Sequence, residues 1–218
     1  MRERYEEELK KLNASIISMG KMIEIAIEGS VLALMEWDLA SCDEIIKNDD
    51  AIDEMEKEIE QLCVRLLLQQ QPLASDLRMV TAALKMVTDM ERIGDHAGDI
   101  ADLIKQMGNG KAIANSMGKY ANAKLERMCS EIQKMLYNSI SAYIDRDVSK
   151  AKDVIANDDI VDELYFKLKR EFVRQIQIKI ENGEEIADFL LIAKYFERIG
   201  DHATNIAEWV IYSITGLR

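Results

Sequence analysis

Apolar positions recur along most of this chain at the three-and-four spacing of an amphipathic helix, and the positions between them are dense in charge. From about residue 4 to 37, Ile16, Met19, Ile23, Ala26, Ile27, Leu32 and Leu34 share one helical face, which predicts a long first helix. A break from Asp38 to Asp43 follows, with Ser41 or Asp43 placed to cap the next N-terminus. The second helix carries Ile45, Ile46, Ile52, Met55, Ile59, Leu62, Leu66 and Leu67. Pro72 opens the third, in a first turn where its missing N–H is not needed. Helices are expected again at about 111–145, 149–181 and 185–214, with Asn182-Gly183 parting the last two.

The second set of helices repeats the first. Glu-Arg-Ile-Gly-Asp-His-Ala begins at Glu91 and again at Glu197, an offset of 106, and it contains both histidines of the chain. A second anchor, Asn-Asp-Asp-x-x-Asp-Glu, begins at Asn48 and at Asn157, an offset of 109. The second copy has therefore lost three residues between the anchors, at the turn where "LLLQQQPLASDL" faces "IQIKIENGEEI". Gly108-Asn109-Gly110 is a helix terminator and turn at the seam, giving repeats at residues 1–108 and 111–218. The expectation is an all-α protein of two tandem three-helix bundles, six helices in total, related by a pseudo-two-fold axis.

Composition narrows the chemistry. One proline in 218 residues argues against a strand-rich fold with its frequent turns. A net charge of -12 disfavours nucleic acid, whose affinity depends on Lys and Arg at phosphates, and points to cations as ionic partners. Cys42, Cys63 and Cys129 are odd in number and widely spaced, as expected of reduced thiols. The first residues lack a signal-peptide pattern and no apolar run approaches the ~18 residues of a spanning helix, so membrane association would be indirect, through a partner.

The repeated phrases carry the candidate site. Glu91 and Asp95 lie one helical turn apart and about 40° apart around the axis, so they share a face, which Asp99 and Asp102 extend. Glu197 and Asp201, extended by Asn205 and Glu208, form the second stripe. Asp49 with Asp53, and Asp50 with Glu54, have the same spacing, as do Asp158 with Asp162 and Asp159 with Glu163. Like charges so spaced repel, and a single such stripe is ordinarily a solvated face. If the two anchors meet across neighbouring helices, however, four converging carboxylates suit a hard cation: Fe³⁺, Mn²⁺, Mg²⁺ or Ca²⁺, with zinc where a histidine joins.

His96 and His202 sit about 100° off the stripe and read as hydrogen-bonded interhelical groups. Gly94 and Gly200, costly in mid-helix, read as sites of close helix approach, and Arg92 and Arg198 as partners for nearby acids. The Glu-x-x-His of di-iron oxidases is missing, as are a phosphate-cradling loop and a nucleophile elbow, which weighs against an enzyme.

Two three-helix units, each with Glu-Arg-Ile-Gly-Asp-His-Ala in its third helix and an Asn-Asp-Asp partner in its second, resemble the PhoU family of phosphate-signalling proteins over essentially the whole chain. The resemblance implies a cytoplasmic, six-helix, commonly dimeric protein that is not an enzyme. It also implies multinuclear metal clusters, iron foremost, with manganese, magnesium or zinc as alternatives. Matched residue by residue, the first cluster falls on Asp49, Asp53, Glu91 and Asp95, and the second on Asp158, Asp162, Glu197 and Asp201. Asn205 in place of Asp99 removes one anionic ligand from the second. The implied partners are a phosphate transporter ATPase and a sensor histidine kinase, with the phosphate-starvation response as what is restrained. A carboxylate-bridged hydrolase or oxidase and a metal-free helical adaptor are the competing readings.

Overall fold

The computed structural model describes residues 2–69, 74–107, 110–116 and 118–217. They form seven α-helices: α1 Arg2–Glu36, α2 Leu39–Gln69, α3 Ala74–Gln106, α4 Gly110–Ser116, α5 Lys119–Asp145, α6 Val148–Ile178 and α7 Gly183–Thr215. A 3-10 turn at Ile180–Asn182 leads into α7, and the described residues include no strand. Helices α1, α2 and α3 pack on one another, as do α5, α6 and α7. The two bundles join along α3 against α7 and α1 against α5. Equivalent helices thus meet each other, as a pseudo-two-fold requires.

The first-helix face is buried as expected at Ile16, Met19, Ile23, Ala26, Ile27 and Leu34, but Leu32 is exposed. Cys42, Cys63 and Cys129 are buried free thiols.

The corners differ from the sequence reading in ways the backbone explains. Between α1 and α2 the break is only Trp37 and Asp38. Trp37 adopts a left-handed conformation (φ 59°) and Asp38 donates its N–H to the Ala33 carbonyl at 3.1 Å. Asp38 is the cap: its carboxylate accepts from the Ala40 N–H at 3.1 Å and the Ser41 hydroxyl at 2.6 Å, so Ser41 and Asp43 lie inside the helix. The second copy makes the same corner, with Arg146 left-handed (φ 53°), Asp147 bonded to the Ala142 carbonyl at 2.9 Å, and Asp147 capping Ser149 and Lys150.

The helix expected over 111–145 is two helices. Gly118 has φ 87°, which a side chain disfavours, and the chain turns there so that α4 folds back over the Trp37 corner. Lys111 donates to the Glu36 carbonyl, and the Asn122 amide to the Ala114 carbonyl. Gly110, expected as a terminator, begins α4 flat against the Trp37 indole, where an added Cβ would lie 2.0 Å from two ring carbons. Gly183, expected as a separator, has helical φ and ψ and is the first residue of α7. The expected Pro72 helix start and the Gly108-Asn109 part of the seam lie outside the described residues.

Both histidines sit where α3 meets α7, with ring centroids 5.7 Å apart. His202 Nδ1 lies 2.8 Å from Asp89 Oδ1, and because a carboxylate oxygen only accepts, that nitrogen carries the proton. The Asn205 amide donates to the same oxygen at 3.0 Å. His96 packs on the Tyr195 ring at 5.3 Å, with Nδ1 3.5 Å from Asp99. They are interhelical groups, as their position off the carboxylate stripe predicts.

Candidate metal centre

The middle of α3 and the third and fourth turns of α2 come together because α3 is small at the crossing. A Cβ on Gly94 would meet Asp49 Oδ1 and two carbons of Ile52, each at 3.1 Å, and one on Gly98 would meet Asp49 Oδ2 at 3.4 Å. The glycines let α2 settle close enough to put Asp49 against α3. Asp49, Asp53 and Asp95 then each offer a carboxylate oxygen within 4.8 Å of the other two. Helical spacing fixes the first two on one face of α2, and the crossing supplies the third.

The environment is dry for so much like charge. Asp49 Oδ1, Asp53 Oδ1 and Glu91 Oε2 are buried without hydrogen-bond partners. Arg92 is the adjacent cation, 2.9 Å from Asp95 Oδ2, with its Nε 3.4 Å from Glu91 Oε2. Burial, then Asp95 and Asp53, pushes the Asp49 carboxyl up to about 6. Burial, then Asp95, pushes Glu91 up to about 7, against the pull of Arg92. Glu56, one turn beyond Asp53, is raised by burial, then by Glu60 and Asp53. Partnerless buried oxygens and acids that hold their protons are what a multivalent cation would relieve, and the all-oxygen donor set suits a hard ion. The residues fit such a group.

Of the expected first set, Asp49, Asp53 and Asp95 converge, while Glu91 stands beside them with one oxygen buried. The second set is looser. Asp158 is pushed up to about 6 by burial, then by Asp201 and Asp162, so these acids are neighbours. Glu197 is buried, however, and paired with the Lys194 ammonium, and Asp201 is exposed. Among the described residues only the first trio brings three ligand atoms within reach of one ion.

The outer halves of the Asn-Asp-Asp anchors are ordinary solvated acids. Asp50, Glu54, Asp159 and Glu163 are exposed, with Glu54 paired to Lys57 at 3.0 Å and Glu163 to Lys167. The sequence reading passed over Glu56, Lys194 and Tyr165. Aligning the copies at their two offsets would have exposed them, since Glu56 aligns with Tyr165 and Thr88 with Lys194.

The two mid-helix glycines are not equally tight. A Cβ on Gly200 would meet only Val161 at 3.4 Å, Asp158 at 3.7 Å and Met135 at 3.9 Å. Gly94→Ala is expected to destabilise by about 1–2 kcal/mol, because overpacking outweighs the gain in helix propensity. Gly200→Ala is expected to be neutral or stabilising by up to about 1 kcal/mol. Urea unfolding of the two variants checks the ordering, and equal losses would contradict it.

This fold and site define a duplicated helical-bundle protein with carboxylates gathered where its second and third helices cross. The PhoU domain model matches the chain twice, at residues 16–104 and 125–210, and the chain belongs to the PhoU family. A curated relative from Clostridium acetobutylicum, described as a phosphate-specific transport system accessory protein PhoU homolog, is 39% identical over 216 residues, covering 99% of this chain and 96% of its own. The homolog from Pseudomonas aeruginosa is 31% identical, covering 98% and 86%. The crystal structure of PhoU from Pseudomonas aeruginosa superposes with a TM-score of 0.91 at 32% identity, over 97% of this chain and 99% of the other. The phosphate transport system regulatory protein PhoU from Streptococcus pneumoniae gives 0.84 at 29% identity, over 97% of each.

Proposed function

We propose that this protein is a non-enzymatic, metal-binding accessory regulator of a phosphate-specific transport system. The observation that carries the metal is the convergence of Asp49, Asp53 and Asp95 from two helices, with buried carboxylate oxygens left unpaired. The regulatory setting rests on membership of the PhoU family and on the descriptions of its relatives. Repeats 1–108 and 111–218 each supply one acid set: Asp49, Asp53, Glu91 and Asp95, and Asp158, Asp162, Glu197 and Asp201. Iron is the first candidate, with manganese, magnesium and zinc as alternatives.

The protein works by contact. A cation drawing α2 and α3 together fixes an acidic helical surface, which meets the transporter ATPase and a sensor histidine kinase on the cytoplasmic side and restrains the phosphate-starvation response. The active form is a homodimer. No helix among the described residues is long and apolar enough to cross a membrane, which fits contact with the membrane through partners.

Elemental analysis of purified wild type, Asp49→Ala/Asp95→Ala and Asp158→Ala/Asp201→Ala tests the metal. Wild type is expected to carry metal that the first double variant loses, and equally low metal in all three would leave a metal-free adaptor. Deletion of the gene is expected to release phosphate-responsive transcription at high phosphate, and an unchanged response would remove the regulatory reading.

A further inference from the structure

The two acid sets descend from one repeated unit, yet their surroundings differ, and three of the differences make the second set less negative. Where the first copy has Glu56, the second has Tyr165; where the first has Thr88, the second has Lys194; where the first has Asp99, the second has Asn205. Two acids are lost and one base is gained. The base is turned to the site: the Lys194 ammonium bonds Glu197 Oε2 and stands 5.2 Å from the centre of the Tyr165 ring. In the first copy the Thr88 hydroxyl bonds the Leu84 carbonyl of its own helix, and Glu91 Oε2, without a hydrogen bond, lies 3.4 Å from Arg92 Nε. The first site's own cation, Arg92, is exposed and held mainly by Asp95.

Resting on the metal-binding reading above, we propose that Lys194 is a resident counter-ion of the second acid set, so that the two sets are unequal and divalent cations fill the first before the second. An incoming cation at the second set must displace the ammonium from Glu197 or bind beside it. At the first set it meets carboxylates and the Arg92 guanidinium, which is bonded to Asp95 and more exposed than the Lys194 ammonium. One unit charge at 5–8 Å in a partly buried site is worth about one to two orders of magnitude in affinity. The aromatic face of Tyr165 adds to the hold on the ammonium. The duplicated protein is then a graded binder: it is half-loaded over a wide span of cation concentration and fully loaded only above it.

The test is calorimetric titration of chelator-stripped protein with Mn²⁺, read beside melting temperature in the same chelator. Wild type is expected to bind in a tight phase and a weak phase separated by at least about tenfold. Asp49→Ala/Asp95→Ala should remove the tight phase, and Asp158→Ala/Asp201→Ala the weak one. Lys194→Thr should bring the phases together, and Thr88→Lys should weaken the tight one about tenfold or more. In chelator, Lys194→Thr is also expected to melt about 2–4 °C below wild type, because the acids of the second set lose their counter-ion, and added Mn²⁺ should more than restore it.

Two equal phases in wild type, or a tight phase that the second-set double variant removes, would overturn the ordering while leaving the metal reading intact. Absence of Mn²⁺ binding in every protein would overturn the metal reading and the ordering with it. In that case a lowered melting temperature of Lys194→Thr would support its counter-ion role alone.

Discussion

Phe189→Ala is expected to lower the free energy of unfolding by about 3–5 kcal/mol, the largest effect of any single change proposed for this chain. Phe189 is buried on α7 and lies within aromatic contact of two other rings, Phe172 on α6 at 6.4 Å and Trp37 at 6.1 Å. Phe172 belongs to the core of the second bundle, while Trp37 is the corner residue of the first. Removing the phenyl ring opens a cavity and cuts the apolar bridge between the bundles together. The side chain also lines a pocket of about 200 Å³ with Trp37, Lys111 and Leu125, so the void would merge with existing space instead of collapsing. Urea unfolding measures the loss, with Leu191→Ala as comparison. Leu191 is 48% exposed, and its truncation is expected to stay within about 0.5 kcal/mol of wild type.

The second large effect concerns pH. Asp49 and Glu91 hold their protons to about 6 and about 7 in the folded chain, above the ordinary values of 3.8 and 4.5 that the unfolded chain approaches. Between those limits the native state binds more protons than the unfolded state, so stability falls as pH rises. The stability is fully present below the unfolded values and is lost progressively toward neutrality. Chelator-stripped protein is therefore expected to melt about 4–8 °C lower at pH 7.5 than at pH 4.5, corresponding to about 2 kcal/mol once solvent screening and the coupling of the two acids are allowed for. Asp49→Asn/Glu91→Gln should flatten the slope, and added Mn²⁺ should reverse it. Acids held low by partners, such as Asp145 beside Lys150 and Glu171 beside Arg174, have the opposite slope, but below this window. A melting temperature that rises from pH 4.5 to 7.5 in chelator would contradict the account.

Hydrophobic period and repeat made most of this architecture legible. Apolar spacing marked the long helices, and the repeated phrases marked equivalent points on α2 and α6 and on α3 and α7. The corners were hidden because their mechanism is local backbone geometry at residues with no strong turn preference. Nothing about Trp37 or Arg146 advertises a left-handed residue, and only the shared Asp38 and Asp147 hint that both corners are built alike. The break at Gly118 was missed because α4 follows the helical pattern and only its docking on Trp37 bends the chain away.

In the site, four-residue spacing sets Asp49 with Asp53 and Glu91 with Asp95 on shared faces, but spacing alone does not distinguish Asp49/Asp53 from Asp50/Glu54. The crossing of α2 over Gly94 and Gly98 makes that choice, turning the first pair toward α3 and leaving the second in solvent. In the second set Glu197 is held by Lys194, one helical turn before it and outside the repeated phrase. A motif-centred reading gives it no weight.

The histidine contact along α3 and α7 bears on how the two copies recognise each other. A two-fold pairing of identical units would give both rings the same surroundings. A first copy facing itself would set two carboxylates by each ring, its own Asp99 and the other copy's Asp89. A second copy facing itself would offer Asn205 and Tyr195, and no carboxylate at all. The observed pairing gives each ring one acid: His96 has Asp99 with Tyr195 alongside, and His202 has Asp89 with Asn205 alongside. Once joined in a single chain, the halves were released from having to match themselves, and each has become the complement of the other.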